Sequence, residues 1–115
     1  SEQFIQAGIN LDSNNTELSK KIYNEIILKK NEFYSILALN IILEKKLETN
    51  EKVILSYFKI IENLKLSKEK KDLVNLKKAL FLIEKSKFTQ ANKILNNLIL
   101  NDSKLKNIAQ EILVN

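Results

Sequence analysis

The chain has 115 residues, of which 44% are hydrophobic, and this length and composition favour one globular domain over a disordered chain. It contains no Pro, Cys, His or Trp and one Gly, which excludes disulfides, thiolate metal sites and histidine general bases. All 19 basic residues are Lys, against 14 acids, so the net charge of +5 comes without the guanidinium fork that binds phosphate bidentately.

The scarcity of Pro and Gly predicts an all-α fold. Few residues are left that readily adopt positive φ or break a helix, and the two-residue turns of β-hairpins usually require such residues. The longest apolar run, residues 36–43, is too short for a bilayer span of about 20 residues. No signal peptide is visible, but residue 1 is Ser rather than Met. We therefore expect a processed fragment of a longer chain, and an upstream membrane anchor would be compatible with it.

The apolar periodicity predicts six or seven helices joined by short polar segments. Their expected bounds are about 2–10, 15–30, 32–47, 50–65, 68–85, 88–100 and 103–114. Side chains that cap helix N-termini precede several of them: Asn14 (with Glu17 at capping-box spacing), Thr49 or Asn50, Ser67 and Asp102. Asn31 is expected to mark the break between the second and third helices. Joints of two to five residues favour antiparallel hairpins.

Two pairs of adjacent aromatic residues, Phe33–Tyr34 and Tyr57–Phe58, bear on how the hairpins pack. Neighbouring side chains point about 100° apart on a helix, so burying both members requires a helix that is packed on more than one side. A stack of hairpins would provide that packing. The alternative is that one member of each pair is half-exposed.

A repeat with a period of about 34 residues is visible in the apolar pattern. The triplet Tyr23, Ile26, Ile27 recurs as Tyr57, Ile60, Ile61 and again as Ala91, Ile94, Leu95. The third copy has small and large residues at the spacing of a tetratricopeptide repeat, namely Ala79, Leu82, Ser86, Phe88, Ala91, Leu95 and Leu98. In that interpretation Ala79 and Ala91 lie where paired helices approach closely, Ser86 is at the bend, and Phe88 fills the gap to the next hairpin.

The chain thus resembles the tetratricopeptide family, with departures. Asn75 and Lys78 occupy positions where large apolar residues are usual, and Ser86 and Ser103 stand where the family has Gly and Pro. The preceding repeat needs an insertion of about three residues. The resemblance implies one domain over 1–115, a right-handed solenoid of stacked antiparallel hairpins. It would hold about three degenerate repeats and a C-terminal capping helix. A generic helical bundle is the alternative.

The second half, residues 72–115, resembles more closely the tail of a bacterial family typified by the ancillary subunit of the Sec translocon. The likeness rests on three packing motifs: Asp72, Leu73 and Ala79 in one helix, the turn from Phe88 to Ala91, and Ala109, Glu111 and Leu113 in a closing helix. The resemblance implies an N-terminal anchor and a domain at the periplasmic face of a bacterial inner membrane that contacts other proteins. A cytoplasmic location is the alternative.

Residues suited to catalysis are few. Glu44 with Glu48, and Glu69 with Asp72, are acid pairs on single helices that could bind a cation or share a proton, but lysines flank both pairs. No His can activate a Ser or Thr, and no Gly-rich loop can hold phosphate. We therefore expect no enzyme activity, no cofactor and no metal.

The better candidates are surfaces for a protein partner. Residues 59–93 hold 10 Lys and 4 acids, a basic stretch that could bind an acidic protein, anionic lipid or nucleic acid, although the lack of Arg disfavours nucleic acid. Within it, an apolar stripe of Leu73, Leu76, Leu80 and Ile83 either packs in the core or lines a concave surface for a partner helix or extended peptide. The candidate partner-binding residues are Lys68, Lys70, Lys71, Leu73, Leu76, Lys77, Lys78 and Leu80.

From these patterns we expect a non-enzymatic protein-interaction scaffold or chaperone adaptor at the bacterial envelope. The alternative is a cytoplasmic basic helical domain that binds nucleic acid or an acidic protein through residues 59–93.

Overall fold

The computed structural model of the chain describes residues 1–113 and contains seven helices and no strand over that range. The helices are α1 (Glu2–Asp12), α2 (Thr16–Leu28), α3 (Tyr34–Glu44), α4 (Glu51–Glu62), α5 (Lys68–Glu84), α6 (Phe88–Leu100) and α7 (Lys106–Ile112). The prediction of an all-α fold is confirmed. The expected end of the last helix, residue 114, lies outside the described residues.

Local capping chemistry determines where several helices begin. The Asn50 side chain accepts hydrogen bonds from the backbone N–H groups of Lys52 and Val53 at 2.9 and 3.3 Å, and the Ser67 hydroxyl accepts one from Lys70 at 3.2 Å. These two predicted caps are confirmed. The Asn31 side chain likewise accepts hydrogen bonds from the N–H groups of Phe33 and Tyr34, so Asn31 lies at the break between α2 and α3.

The expected caps Asn14 and Asp102 are wrong, because both residues belong to the ends of preceding helices. Asn14 follows α1 with φ 61° and Asp102 follows α6 with φ 52°. Their left-handed backbone cannot begin a right-handed helix, which instead starts after Asn15 in α2 and after Leu105 in α7.

Five of the seven helices end at a non-glycine residue in the left-handed region. These residues are Asn14, Lys30, Lys46, Ser86 and Asp102, with φ between 52° and 62°. The next N–H then bonds back into the helix, as from Lys87 to the Leu82 carbonyl at 2.8 Å. The one glycine, Gly8, lies inside α1 instead.

The chain divides into two compact units, Ser1–Lys65 and Leu66–Asn115. In the first, α1 packs on α2, α2 packs on α3, and α4 contacts both α2 and α3. In the second, α5 packs on α6 and α6 packs on α7. Within each unit, helices adjacent in the chain pack together, which is consistent with a stack of helical hairpins. Whether the whole chain behaves as one domain stays a prediction.

The two units share the same sequence of turns. Asn14 follows α1 and Ser86 follows α5, and in the same way Lys30 follows α2 and Asp102 follows α6. The number of residues from Asn14 to Ser86 equals the number from Lys30 to Asp102. The starts of α2 and α6, and those of α3 and α7, have this same separation, which we call the inter-unit shift. The turn hydrogen bonds correspond as well, for example Asn15 N–H to Asn10 O and Lys87 N–H to Leu82 O, both 2.8 Å. Thus α1–α3 and α5–α7 have matching backbone designs.

Small residues lie where the helices of each unit meet. All five alanines of the chain, Ala7, Ala38, Ala79, Ala91 and Ala109, are fully buried. In the first unit the buried Ser19 hydroxyl donates to the Ala7 carbonyl at 2.9 Å, which joins α2 to α1. Under the inter-unit shift this pair corresponds to Ala91 and Ala79. A small side chain on both helices allows close backbone approach at the same level of each hairpin.

The aromatic pairs differ from each other. Tyr57 and Phe58 are both buried in the first unit, so α4 is packed on more than one side, as expected from their adjacency. Phe33 is 57% exposed and packs edge-on against Tyr34 with ring centroids 5.0 Å apart. For that pair the expectation that both members are buried is wrong, because Phe33 lies in the turn before α3.

Candidate protein-binding surface on α5

A groove of about 520 Å³ lies in the second unit, between the first turns of α5 and the turn that joins α6 to α7. It is lined by Lys68, Glu69, Asp72, Leu73, Asp102, Ser103, Lys104 and Leu105. A groove of this size suits a short peptide segment or a few side chains of a partner.

Local backbone chemistry shapes both walls. Ser67 caps α5, so the helix starts at Lys68 and brings Asp72 and Leu73 into its second turn. On the opposite wall the left-handed Asp102 reverses the chain, and the Ser103 N–H bonds to the Leu98 carbonyl at 3.1 Å. The Ser103 hydroxyl oxygen then accepts from the Leu105 N–H at 3.1 Å, which holds the turn in place.

The inner part of the groove contains a buried polar contact. Ser103 is buried, and its hydroxyl donates a hydrogen bond to the Asp72 carboxylate, which also pairs with the Lys68 ammonium at 3.1 Å. Partial burial raises the pKa of Asp72, but the Ser103 hydrogen bond and Lys68 together outweigh burial and lower this pKa below its ordinary value. Asp72 is therefore a carboxylate that fastens α5 to the α6–α7 turn.

The outer rim carries an exposed ion pair. The Lys104 ammonium lies 2.6 Å from the Glu69 carboxylate, and both side chains are largely in solvent. The hydrogen bond and the charge of Lys104 lower the pKa of Glu69, and Glu69 in turn raises the pKa of Lys104. Solvent and salt screen such a pair, so a charged partner can exchange with either side chain at little cost.

An apolar strip continues from the groove along α5. Leu73, which lines the groove, is 43% exposed, and Leu80, two turns further on, is 45% exposed. Lys77 lies between them and is half-buried, and burial lowers the pKa of its ammonium group. Residues seven apart share a helix side, so Leu73 and Leu80 present two large apolar side chains about 10.5 Å apart.

The eight predicted partner-binding residues differ in burial. Lys68, Lys70, Lys71, Leu73 and Leu80 are exposed, and Lys77 and Lys78 are half-buried. Leu76 is only 8% exposed, so the prediction that it contacts a partner is wrong: it belongs to the core. The physical reason is its position about 60° from Leu73 around the helix, towards the buried Ala79.

The residues assigned to the repeat are placed as follows. Ala79, Ala91, Leu95 and Leu98 are buried, and Ser86 forms the left-handed bend between α5 and α6. Phe88 is 43% exposed, so it does not fill a gap between hairpins as expected. It is the first residue of α6, where a side chain leans back over the turn.

Sequence reasoning missed the α6–α7 half of the groove. Ser103 and Lys104 are far along the chain from Asp72 and Glu69, and no local pattern links them. The acid pair Glu69 and Asp72 is the one indication of the groove in the sequence. In the structure Glu69 pairs with Lys104 and Asp72 pairs with Lys68. The second acid pair is also structural, because Glu48 accepts hydrogen bonds from the N–H groups of Thr49 and Asn50.

The comparisons with known proteins do not assign the chain to a family. Over residues 1–113, no helix is long and apolar enough to cross a membrane, and no group of three acidic side chains is arranged to hold a metal ion. No protein-family model, curated protein or solved structure matches the chain.

Proposed function

We propose that the chain is a non-enzymatic interaction domain that binds a partner protein through the groove and the apolar strip of α5. The observation that carries the proposal is the pair Leu73 and Leu80, two exposed leucines on one helix side that continue from the mouth of the groove. Apolar anchors seven residues apart match the spacing by which amphipathic helices recognise each other. Exposed Lys70 and Lys71 nearby favour a partner with acidic residues.

The finer description of the fold belongs to this proposal. A tetratricopeptide-like solenoid is supported by the hairpins within each unit and by the matching turns of α1–α3 and α5–α7. The role of α7 as a C-terminal cap is supported by its exposed polar residues Asn107, Gln110 and Glu111, since terminal helices of solenoids need a polar outer side.

The location proposed is the periplasmic face of a bacterial inner membrane, where the domain would act as a scaffold or chaperone adaptor associated with the Sec translocon. Its support is the resemblance of residues 72–115, which rests on packing residues. In this proposal an anchor outside the present sequence would hold the domain at the membrane.

A photocrosslinking amino acid at position 73 tests the binding surface. In cells that express the full-length protein, we expect position 73 to yield a discrete crosslinked protein, and Leu80→Ser to reduce its yield several-fold. Position 100 is the matched control, because Leu100 is an equally large and largely exposed leucine of the same unit. Equal crosslinking from positions 73 and 100 would contradict the proposal.

A second candidate function is nucleic-acid binding through residues 59–93, which the local excess of ten lysines over four acids favours. Some of these lysines already have partners in the protein; for example, Lys68 pairs with Asp72 and the Lys85 ammonium lies 5.7 Å from the centre of the Phe81 ring. A gel shift that weakens with salt would support this function. Absence of a shift at about 50 mM salt would end it.

A further inference from the structure

The ion pair between Glu69 and Lys104 lies at the entrance of the α5 groove. Glu69 is on the wall that α5 forms and Lys104 is on the wall that the α6–α7 turn forms, with the charged groups 2.6 Å apart. A second contact, between Asp72 and Ser103, joins the same two walls. Ser103 is buried, whereas the side chains of Lys104 and Glu69 are 82% and 69% exposed. The outer contact is therefore the one that a partner can reach and replace.

The two members of this pair have different surroundings if the pair opens. The hydrogen bond and charge of Lys104 contribute most to the lowered pKa of Glu69, and the charge of Lys68 lowers it further. Glu69 therefore keeps a cationic neighbour without Lys104. Among the described residues, Glu69 is the acid that raises the pKa of Lys104, and Asp102 pairs with Lys106 instead. An incoming carboxylate can thus replace Glu69 on Lys104, whereas an incoming ammonium would be repelled by Lys68.

The charge of the second unit favours the same exchange. Residues 1–65 hold nine Lys and nine acids, whereas residues 66–115 hold ten Lys and five acids. The second unit therefore carries the whole net charge of +5. A positive surface of this kind attracts an acidic segment during encounter and repels a basic one.

Positive charge also lies on both sides of the apolar strip. With about 100° between neighbouring residues, Lys70 and Lys77 lie about 40–60° to one side of Leu73 around the helix. Glu69 lies about 40° to the other side, where it meets the ammonium group from the α6–α7 turn. Lys70 and Lys77 are seven residues apart, as Leu73 and Leu80 are. A helix that lies along the strip is complementary to it when acidic residues flank its own apolar row.

We propose that the segment bound by the α5 surface is an acidic amphipathic helix, whose apolar residues contact Leu73 and Leu80 and whose carboxylate displaces Glu69 from Lys104. Glu69 is then an internal competitor for Lys104, which an acidic helix displaces and a neutral one does not. This inference rests on the proposed function, since it specifies the chemistry of the partner that the α5 surface binds.

A titration with two synthetic helical peptides tests the proposal. Each has about 20 residues, mostly alanine, with two leucines seven positions apart. The acidic peptide has Glu on both edges of the leucine row, and the neutral peptide has Gln at those positions. Each is added up to about 5 mM to the ¹⁵N-labelled chain, and amide shifts are followed by NMR. We expect the acidic peptide to shift residues 68–80 and 102–106 and to bind roughly three- to tenfold more tightly than the neutral peptide.

Variants of the chain isolate the role of the ion pair. Glu69→Gln frees Lys104 and should tighten binding of the acidic peptide roughly two- to fivefold, without affecting the neutral peptide. The same substitution in a Lys104→Gln chain should give no such gain. Asp102→Asn is the matched control, because it removes an equal charge from the same groove, leaves the pair intact and should change the affinity less. All three residues are exposed, so the variants should keep the circular dichroism spectrum of the parent chain.

The results separate this inference from the proposed function. Equal binding of the two peptides on α5, or a gain from Glu69→Gln that persists without Lys104 or that Asp102→Asn reproduces, would overturn the inference and leave the α5 surface in place. Absence of shifts with either peptide would also overturn it. Crosslinking from position 73 in cells does not depend on these peptides, so it tests the proposed function separately.

Discussion

The hydroxyl of Tyr57 donates a 2.7 Å hydrogen bond to the side-chain oxygen of Asn24 and so joins α4 to α2 within the first unit. Replacing Tyr57 by Phe keeps the buried ring and removes this bond, so the free energy of unfolding should fall by about 1 kcal/mol. Chemical denaturation measures the change. Tyr34→Phe is the control, since the Tyr34 hydroxyl makes no hydrogen bond within residues 1–113, and an equal loss there would contradict the assignment.

Alkaline pH should destabilise the protein through its buried tyrosines. Burial, chiefly, raises the pKa values of Tyr23 and Tyr57 above 10.0, with smaller contributions from Asp12 and Glu48 respectively. A raised pKa means that the folded state holds the phenolic proton more tightly, so this stabilisation is complete below pH 10 and is lost above it. Denaturation at about pH 9, 10 and 11 should show a shallower loss for Tyr57→Phe than for the parent chain. Parallel losses would contradict this account.

Acid pH should act through Glu48. The hydrogen bond from the Asn50 N–H makes the largest contribution and lowers the pKa of Glu48. Burial raises this pKa, whereas the Lys20 ammonium, 3.4 Å from the carboxylate, and the Thr49 N–H lower it further. Because the folded pKa is depressed, the stabilisation is present above the ordinary value of 4.5 and is lost as pH falls through the folded value. Glu48→Gln should flatten the decline in unfolding free energy between about pH 5 and 3. An equally steep decline in Glu48→Gln would contradict this role of Glu48.

Glycine at position 86 should stabilise the second unit. Ser86 has φ 60°, a conformation that costs a residue with a Cβ about 1 kcal/mol and costs glycine almost nothing. We expect Ser86→Gly to raise the unfolding free energy by about 0.5–1 kcal/mol. The neighbour Lys85 has φ −90°, so Lys85→Gly should instead lower stability by a similar amount. Melting temperatures that move in the same direction for both variants would contradict the assigned turn.

A charge at position 91 should unfold the second unit. Ala91 is fully buried where α6 meets α5, so Ala91→Lys forces an ammonium group and its long side chain into a close helix contact. A loss of more than about 3 kcal/mol is expected, visible as lost helical circular dichroism at 25 °C. Gln90→Lys adds the same charge one residue away, at an exposed position, and should melt like the parent chain. Similar melting of both variants would contradict the burial of Ala91.

The helices could be predicted from the sequence, but the backbone conformation at their ends could not. Apolar spacing and the caps Asn50 and Ser67 located α4 and α5 to within a few residues. The same reasoning assumed that positive φ usually needs glycine, so it did not predict the left-handed backbone of residues that follow helices, such as Lys30 and Lys46. The physical reason is that the cost of about 1 kcal/mol for each such residue is small beside the free energy gained when two helices bury apolar surface against each other.

The predicted apolar repeat and the spacing of the turns give two different registers. Two periods of the apolar repeat place Tyr23 on Ala91, whereas the inter-unit shift, taken from the turns, places Ser19 on Ala91. Tyr23 and Ser19 are about one helical turn apart, so apolar side chains remain on the same side in both alignments. Apolar periodicity alone cannot separate the two registers. The positions of the bends distinguish the two registers. The residues at corresponding bends, Asn14 and Ser86, are of different types, so the sequence does not reveal that the bends correspond.

The candidate surface could be predicted only in part. Leu73, Leu76 and Leu80 are predicted to share one stripe, but Leu73 and Leu80 are exposed and Leu76 is buried. Helical spacing does not separate them, because steps of three and four residues both stay near one side. Which members of a stripe are buried depends on the helices packed around it. The groove depends further on Ser103 and Lys104, which the fold brings to α5 from a distant turn.

The turns also set the time that the chain needs to reach its native state. They bring helices together that are adjacent in sequence, as α1, α2 and α3 are, and contacts of this kind form without closing long loops. Helical proteins rich in such contacts refold in microseconds to milliseconds. With no proline in the chain, the isomerisation that delays many proteins by tens of seconds is absent as well. Stopped-flow refolding should therefore be complete well within a second.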